Sequence, residues 1–214
     1  MKIAVIGADT ELGKRIVLKA EEYGISVVCC VENFGSLVGS GKLIIKPYDS
    51  ITYKDLEDCH YVVDAKSFLE IRKFSTDILP VWHLLEILKD SKIKLLEIGS
   101  CAFLYTDKTR NKFVGNEDDY TLDDEQSVTD RLSISAFRRL SLCKDVKWSV
   151  LCPPLLLDKH GYGTGVLEFS DDVLSVGLGG DSYISLVDLA KAVVELLKLV
   201  PKDYHCVCVR SIKK

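Results

Sequence analysis

The stretch "MKIAVIGADTELGKRIVLKA", Met1 to Ala20, decides the reading of the whole chain. "KIAVIG" is a continuous apolar run of strand length, and the residues after it recur with helical spacing, Leu12, Ile16, Ala20 and Tyr23 falling on one face. Strand, turn and helix therefore follow without a linker. Gly7 and Gly13 hold the outer two positions of a G-x-x-G-x-x-G turn, with Thr10 in the middle. Glycines in such a turn let the backbone bend tightly, approach a pyrophosphate, and pack the helix on the strand. Thr10 fills space that a glycine leaves open, yet threonine is a good N-cap whose hydroxyl either caps the helix or bonds a phosphate.

The pattern continues downstream. Gly24 ends the first helix, and "ISVVCCV" (Ile25 to Val31) reads as a second, fully buried strand because β-branched residues fill it without alternation. Then come "KLIIK" as a strand, "YKDLED" as a helical turn, "HYVVDA" as a strand and "VWHLLEILKDS" as an apolar helix. "IKLLEIGS" is the next strand, followed by a polar loop, a helix near "SVTDRLSISAFRRLSL" and the strand "VKWSVLCP". "SLVDLAKAVVELLKLV" opens with a capping box from Ser185 to Asp188, and "YHCVCVR" reads as a final edge strand. Alternating strands and helices with continuously apolar strands predict an α/β fold, a doubly wound, mostly parallel sheet in the order 3-2-1-4-5-6, formed by residues 1–214 as a single domain.

Composition narrows the partners. With 214 residues, 47% of them hydrophobic, the chain has ample material for one core. A net charge of -4 and a pI near 5.6 argue against nucleic acid, which requires a basic stripe to displace counterions. No apolar run approaches the roughly 20 residues that span a bilayer, and Met1 leads into a charged residue and a short strand, so we expect no membrane partner and a cytoplasmic location. The eight cysteines contain no C-x-x-C pair; Cys29 and Cys30 point to opposite faces of a strand, and Cys206 and Cys208 share a face without a zinc-spaced partner. They read as reduced core thiols, and no metal site is expected. "GNEDDYTLDDEQ" carries six carboxylates between Gly115 and Gln126, which reads as a solvated loop entering a helix whose N-terminus favours acids.

"KIAVIGADTELG", "GSCAFLYTD", "VKWSVLCPPLLLD", "GYGTG" and "GDSYISLVDLAKAVVE" occur in an order that resembles the NADH-flavin reductase family, a single-domain atypical branch of the short-chain dehydrogenases, similar also to the biliverdin reductase B (flavin reductase) and NmrA-like proteins. The resemblance covers almost the whole chain. It implies a Rossmann domain that binds a nicotinamide dinucleotide and passes hydride to a flavin or similar planar acceptor. By family position, Gly7, Thr10, Glu11, Leu12 and Gly13 would line the pyrophosphate. Glu32 and Asn33 would lie near the adenosine ribose, Asp49 near adenine, Ala65 and Lys66 along the ribose, and Ser100 near the nicotinamide. Cys101, Tyr105 and Pro154 would border the acceptor pocket, making Ser100 and Tyr105 the catalytic candidates. The chain differs from the family pattern at Thr10, where glycine is usual, at Glu32, where arginine is common, and at Lys66-Ser67, where relatives carry a small or glycine-containing turn.

The residues also bear on the chemistry. Typical short-chain dehydrogenases use a Tyr with a Lys four residues later, the Lys lowering the phenol pKa for proton transfer. No such pair occurs here, and the helix after Gln126 has no Tyr. Alcohol dehydrogenase and epimerase readings need that acid or base. Flavin reduction does not, because the cofactor carries the hard chemistry and water supplies protons. Tyr105 reads either as a pocket residue or as a packed loop aromatic, His83 as a core or edge residue, and the loop "GYGTG" after His160 as a turn cluster or a cover over a ligand. Glu32, at the end of the second strand, accepts ribose hydroxyls and repels a 2′-phosphate, which favours NAD over NADP. The alternative from another class is a non-catalytic NAD(P)-binding sensor or partner-binding protein.

Overall fold

β1 (Lys2–Ile6) and α1 (Glu11–Glu22) meet at the glycine turn, and the computed structural model, which describes residues 1–33, 35, 38–73, 77–115 and 124–212, shows how closely. Gly7 lies at φ +74°, a conformation that favours glycine, and a Cβ on Gly13 would sit 2.0 Å from the Gly7 carbonyl oxygen. Thr10 caps α1: its hydroxyl accepts from Gly13 N at 3.0 Å and donates to Gly7 O at 2.7 Å. Both bonds are internal, so the cap is the role this hydroxyl performs in the structure.

β2 (Ser26–Val31), β3 (Lys42–Ile45), β4 (Tyr61–Asp64), β5 (Lys94–Ile98), β6 (Trp148–Cys152), β8 (Leu167–Ser170) and β10 (His205–Ser211) complete an eight-stranded sheet with β1, in the order β3-β2-β1-β4-β5-β6-β10-β8. Every pair is parallel except β10 with β8. The expected order 3-2-1-4-5-6 is therefore present and extended by two strands. A separate parallel pair joins β7 (Leu156–Asp158) to β9 (Tyr183–Ser185).

Alternation sorts the buried strand residues into two layers, the arrangement that a doubly wound sheet requires. Ala4, Val28, Cys30, Val62, Leu95 and Val150 face α3 (Pro80–Ile87) and α4 (Glu125–Leu142), where Leu84, Ile134 and Leu140 cover them. Ile3, Val5, Val27, Cys29, Val63 and Leu96 face α1 and α5 (Leu186–Leu199), through Ile16, Ala20, Leu189 and Val193. Cys29 and Cys30 thus enter opposite layers. α2 (Tyr53–Leu56) is a single turn closed by a capping box between Thr52 and Asp55.

Four expectations need correction. "YHCVCVR" is not an edge strand: β10 lies between β6 and β8, and β8, in a segment with no strand expectation, forms the edge. Ser185 caps α5 by accepting from Asp188 N at 3.1 Å, but the Asp188 carboxylate does not return the bond; it takes Thr164 N at 2.8 Å, Gly165 N at 3.0 Å and Ser211 Oγ at 2.6 Å. A carboxylate facing two loop N–H groups finds better donors there than at the cap. Tyr23 is the exposed C-cap of α1 and not part of its buried face, its ring lying 4.8 Å from Lys198 Nζ. α3 ends at Ile87, before the expected "KDS", where Asp90 turns to φ 55°. Residues 116–123 of the acidic segment lie outside the described residues; Asp124 beyond them caps α4 by accepting from Ser127 N at 3.2 Å. No helix of the described residues is long and apolar enough to cross a membrane.

The turn makes a ranked prediction. Thr10→Ala removes one cap and should cost about 1 kcal/mol of stability. Gly13→Ala forces a methyl onto the Gly7 carbonyl and should cost more, about 3 kcal/mol. Urea unfolding midpoints check the ranking; a Gly13→Ala protein as stable as the parent would show that α1 is not seated this tightly.

Candidate functional site

The C-terminal ends of β1, β2, β4 and β5 converge, and the residues that follow them form the candidate site. Gly7 follows β1, Glu32 and Asn33 follow β2, Ala65 and Lys66 follow β4, and Ser100 and Cys101 follow β5. This is the crevice where open parallel sheets bind ligands. The N–H groups of Glu11 and Leu12, in the first turn of α1, have no intrahelical acceptor and form the positive end of the helix.

Two cavities open here. One, about 240 Å³, is lined by Thr10, Glu11, Leu12 and Ala65 together with Leu69, Glu70, Leu157, Lys159 and Leu186. The other, about 540 Å³, joins Glu32 and Asp49 to Tyr48, Trp82, His83 and Arg139. Ser100, Cys101, Tyr105 and Pro154 line neither. Ser100 Oγ accepts from Ala102 N at 3.1 Å, capping a short 3-10 turn. Tyr105 packs on Phe113, ring centroids 4.8 Å apart, and its N–H donates to Asp172 O at 2.8 Å, so it reads as a packed loop aromatic. Burial pushes the Cys101 thiol up to about 11, which keeps it protonated and a poor nucleophile. Pro154 is buried, and His83 binds Ile51 O through Nε2 at 2.7 Å. The loop "GYGTG" is folded by two carboxylates, Asp158 taking His160 N and Gly161 N, Asp188 taking Thr164 N and Gly165 N.

Lys66 dominates the electrostatics between the cavities. Its ammonium donates to Glu32 Oε2 at 3.1 Å and to Tyr48 Oη at 3.1 Å, lies 3.8 Å from Glu70 Oε2, and stands 4.4 Å from the centre of the Tyr48 ring. Asp9 adds a further carboxylate in the glycine turn, with Oδ1 buried and unbonded. Burial, with Asp9 and Glu32 next, drives the Tyr48 phenol well above its ordinary range, so it stays neutral. Reading the sequence missed Asp9, Tyr48 and Glu70.

Beneath the site lies a second group that the sequence reading missed. Asp64 ends β4 and Glu97 stands directly opposite it on β5, both fully buried. Asp64 accepts from Lys66 N at 2.9 Å, from Ser67 N at 3.1 Å and from Ser67 Oγ, while Glu97 has no well-formed hydrogen bond and only the backbone N–H of Phe68 as a nearby donor to its charge. Burial raises both carboxyls, and the three donors at Asp64 pull the negative charge to that side. Glu97 therefore keeps the proton, raised by burial and then by the Asp64 charge. A signal existed: an acid in each of the apolar strands "HYVVDA" and "KLLEIG", next to one another in the predicted strand order.

No protein-family model matches the chain. The uncharacterized protein YwnB of Bacillus subtilis (strain 168) is 27% identical over 200 residues, covering 92% of each chain. Among solved structures, a protein of Streptococcus pneumoniae TIGR4 provisionally described as an NADH-flavin reductase superposes with a TM-score of 0.86 at 21% identity, over 99% of this chain and 100% of that one. A provisionally described NAD-dependent epimerase/dehydratase from Bacillus halodurans gives a TM-score of 0.75 at 15% identity, over 100% and 95%. These likenesses establish a Rossmann-like α/β fold across the full chain.

The buried pair carries a pH signature. Glu97 has a raised pKa in the folded state, so the native protein binds more protons than the unfolded chain above the ordinary carboxylate range, and its contribution to stability falls as pH rises toward the folded pKa. Glu97→Gln supplies a permanent donor to Asp64 and should flatten this alkaline decline. Urea midpoints across a pH series check it; an identical decline in the variant would mean that Glu97 is not the group retaining the proton.

Proposed function

We propose that the chain is an oxidoreductase that uses NAD(H) in preference to NADP(H) and passes hydride to a flavin or similar planar acceptor. The observation that carries the reading is the tight Gly7–Thr10–Gly13 turn opening α1 beside Glu32, at the crevice of a parallel sheet. The residues fit a dinucleotide. A side chain at Gly13 would collide with the turn itself, the positive end of α1 faces the smaller cavity, and Glu32 and Asp49 line the larger one. Gly7, Thr10, Glu11, Leu12 and Gly13 would line the pyrophosphate, Glu32 and Asn33 the adenosine ribose and Asp49 the adenine, with Ala65 along the ribose and Ser100 near the nicotinamide. A reduced nicotinamide supplies the hydride when bound.

What the chain's own residues do points to a simple acceptor. α4 holds no tyrosine, Tyr105 packs on Phe113, and Cys101 stays a thiol, so none of these takes the place of the tyrosine acid of a short-chain dehydrogenase. A flavin needs no such acid. The protein's task is then to orient two rings and exclude water, which is a matter of position. The larger cavity is lined by four carboxylates, Glu32, Asp49, Asp77 and Glu86, against Arg139, and that balance disfavours a 2′-phosphate and supports NAD(H). The resemblance to the NADH-flavin reductase family and the likeness to the Streptococcus pneumoniae structure support the same reading.

Three measurements test it. NADH mixed with the protein and FMN or FAD should lose its reduced-nicotinamide absorbance; binding that changes fluorescence without oxidation would instead establish a non-catalytic nucleotide sensor. NADH should bind more tightly than NADPH, and Glu32→Arg should narrow or invert the ratio, since arginine offers a phosphate a bidentate partner. Dissociation constants favouring NADPH in the unmodified protein would overturn the cofactor assignment. Tyr105→Phe should lower turnover by less than about tenfold, below the range for a lost general acid.

A further inference from the structure

The path of Lys66 is unusual for a residue beside a nucleotide groove. It follows β4, while its partner Glu32 follows β2, and β1 lies between those strands in the sheet. The side chain therefore crosses the end of β1. A Cβ on Gly7 would lie 3.1 Å from Lys66 Cβ and 3.6 Å from its Cδ, which places the aliphatic stem directly over the glycine turn. The partners of its ammonium come from both sides: Glu32 and Tyr48 line the larger cavity, Glu70 the smaller. Lys66 lines neither cavity itself; it joins residues of one to a residue of the other across the strip between them, with only 11% of its side chain exposed.

A dinucleotide that spans from the start of α1 to Glu32 has to cross the same strip above Gly7. We propose that Lys66 is a gate in the groove: the ammonium holds Glu32 until ribose hydroxyls replace it, and ligand binding turns Lys66 out of the space over Gly7. This rests on the nucleotide reading given above and adds to it a residue that sets the affinity of the adenosine half. The exchange is chemically matched. Glu32 gives up one charged donor and receives neutral hydroxyl donors, while the ammonium passes from a largely buried site to water, where its hydration offsets the lost ion pair. The nicotinamide half of the ligand, on the far side of Lys66, does not take part.

Calorimetry with three probes reads the gate, because adenosine carries no phosphate and so responds to the exchange without responding to the charge of Lys66. Lys66→Met should tighten both NADH and adenosine about tenfold, while reduced nicotinamide mononucleotide is unchanged. Tyr48→Phe removes one of the ammonium's acceptors and keeps every charge, and should shift adenosine and NADH the same way by a smaller factor. On the unmodified protein, mass-spectrometric mapping of lysine acylation should show Lys66 becoming more reactive when NADH saturates the site. Affinity for adenosine that is unchanged or weaker in Lys66→Met, or Lys66 protected by NADH, overturns the gate and leaves nucleotide binding standing, Lys66 then being a direct ligand. A chain that binds neither NADH nor adenosine in any of the three forms overturns both the gate and the nucleotide reading.

Discussion

Asp64 is a carboxylate with no exposure at all, at the end of a central strand, and the arrangement of the site depends on how it is satisfied. An isolated buried charge is costly enough to be neutralised by protonation unless donors surround it. Here the donors are the backbone N–H groups of Lys66 and Ser67 and the Ser67 hydroxyl, so the chain after β4 is forced to curl back on its own strand. Ser67 Oγ in turn accepts from Val81 N at 3.0 Å, which ties the start of α3 to the same point. One charge thus sets the turn that carries Lys66, the direction of α3 and the retention of the proton by Glu97. Each of these contacts sits below the crevice and none faces solvent.

That anchoring explains how a lysine comes to lie across the groove from a fixed starting point. The turn 65–67 is pinned at its backbone, so Lys66 begins its path in a fixed place and its stem has Gly7 beneath it. At the far end it meets Glu32 and the Tyr48 hydroxyl. The local charge balance is negative, Asp9, Glu32 and Glu70 against the ammonium groups of Lys66 and of Lys73, the latter 2.7 Å from Glu70 Oε1, so the Lys66–Glu32 pair relieves repulsion among the acids as well as joining two strand ends. With Glu32 about two-fifths exposed, the energetic worth of the pair is modest, and its importance is positional.

The first strand, turn and helix were legible from "KIAVIGADTELG" because three independent signals agree there: an apolar run, glycines at fixed offsets and a cap. The parallel sheet order was legible for the same reason, since buried strands alternate with amphipathic helices. Legibility failed where tertiary partners decide the outcome. β10 is as apolar as an interior strand should be, yet its place inside the sheet depends on β8, whose "LEFS" carries no strong pattern of its own. Asp188 has the spacing of a capping box, but the loop at Thr164 and Gly165 competes for its carboxylate and wins with two N–H donors. At the site, positions after strand ends were readable from topology, whereas the reach of Lys66 to Glu32 was not. An ion pair between residues 34 apart in sequence is set by the order of strands, and only the folded sheet brings its members to either side of β1.

The same distinction separates what the groove does from what its motif suggests. Thr10 at the middle position of the turn looks like an obstacle to phosphate, but its hydroxyl is consumed by Gly13 N and Gly7 O, and the methyl that remains lies 3.3 Å from where a Gly7 Cβ would be. Thr10 therefore stiffens the turn from within, alongside the lysine stem that covers it from above. A turn packed from both sides holds its free N–H groups in one orientation before any ligand arrives, and preorganised donors of that kind bind an anion without the entropy cost of ordering the loop first. Substitution of the middle glycine is thus compatible with a working anion cradle, provided that the group lying over the turn can move, and in this chain that group is Lys66.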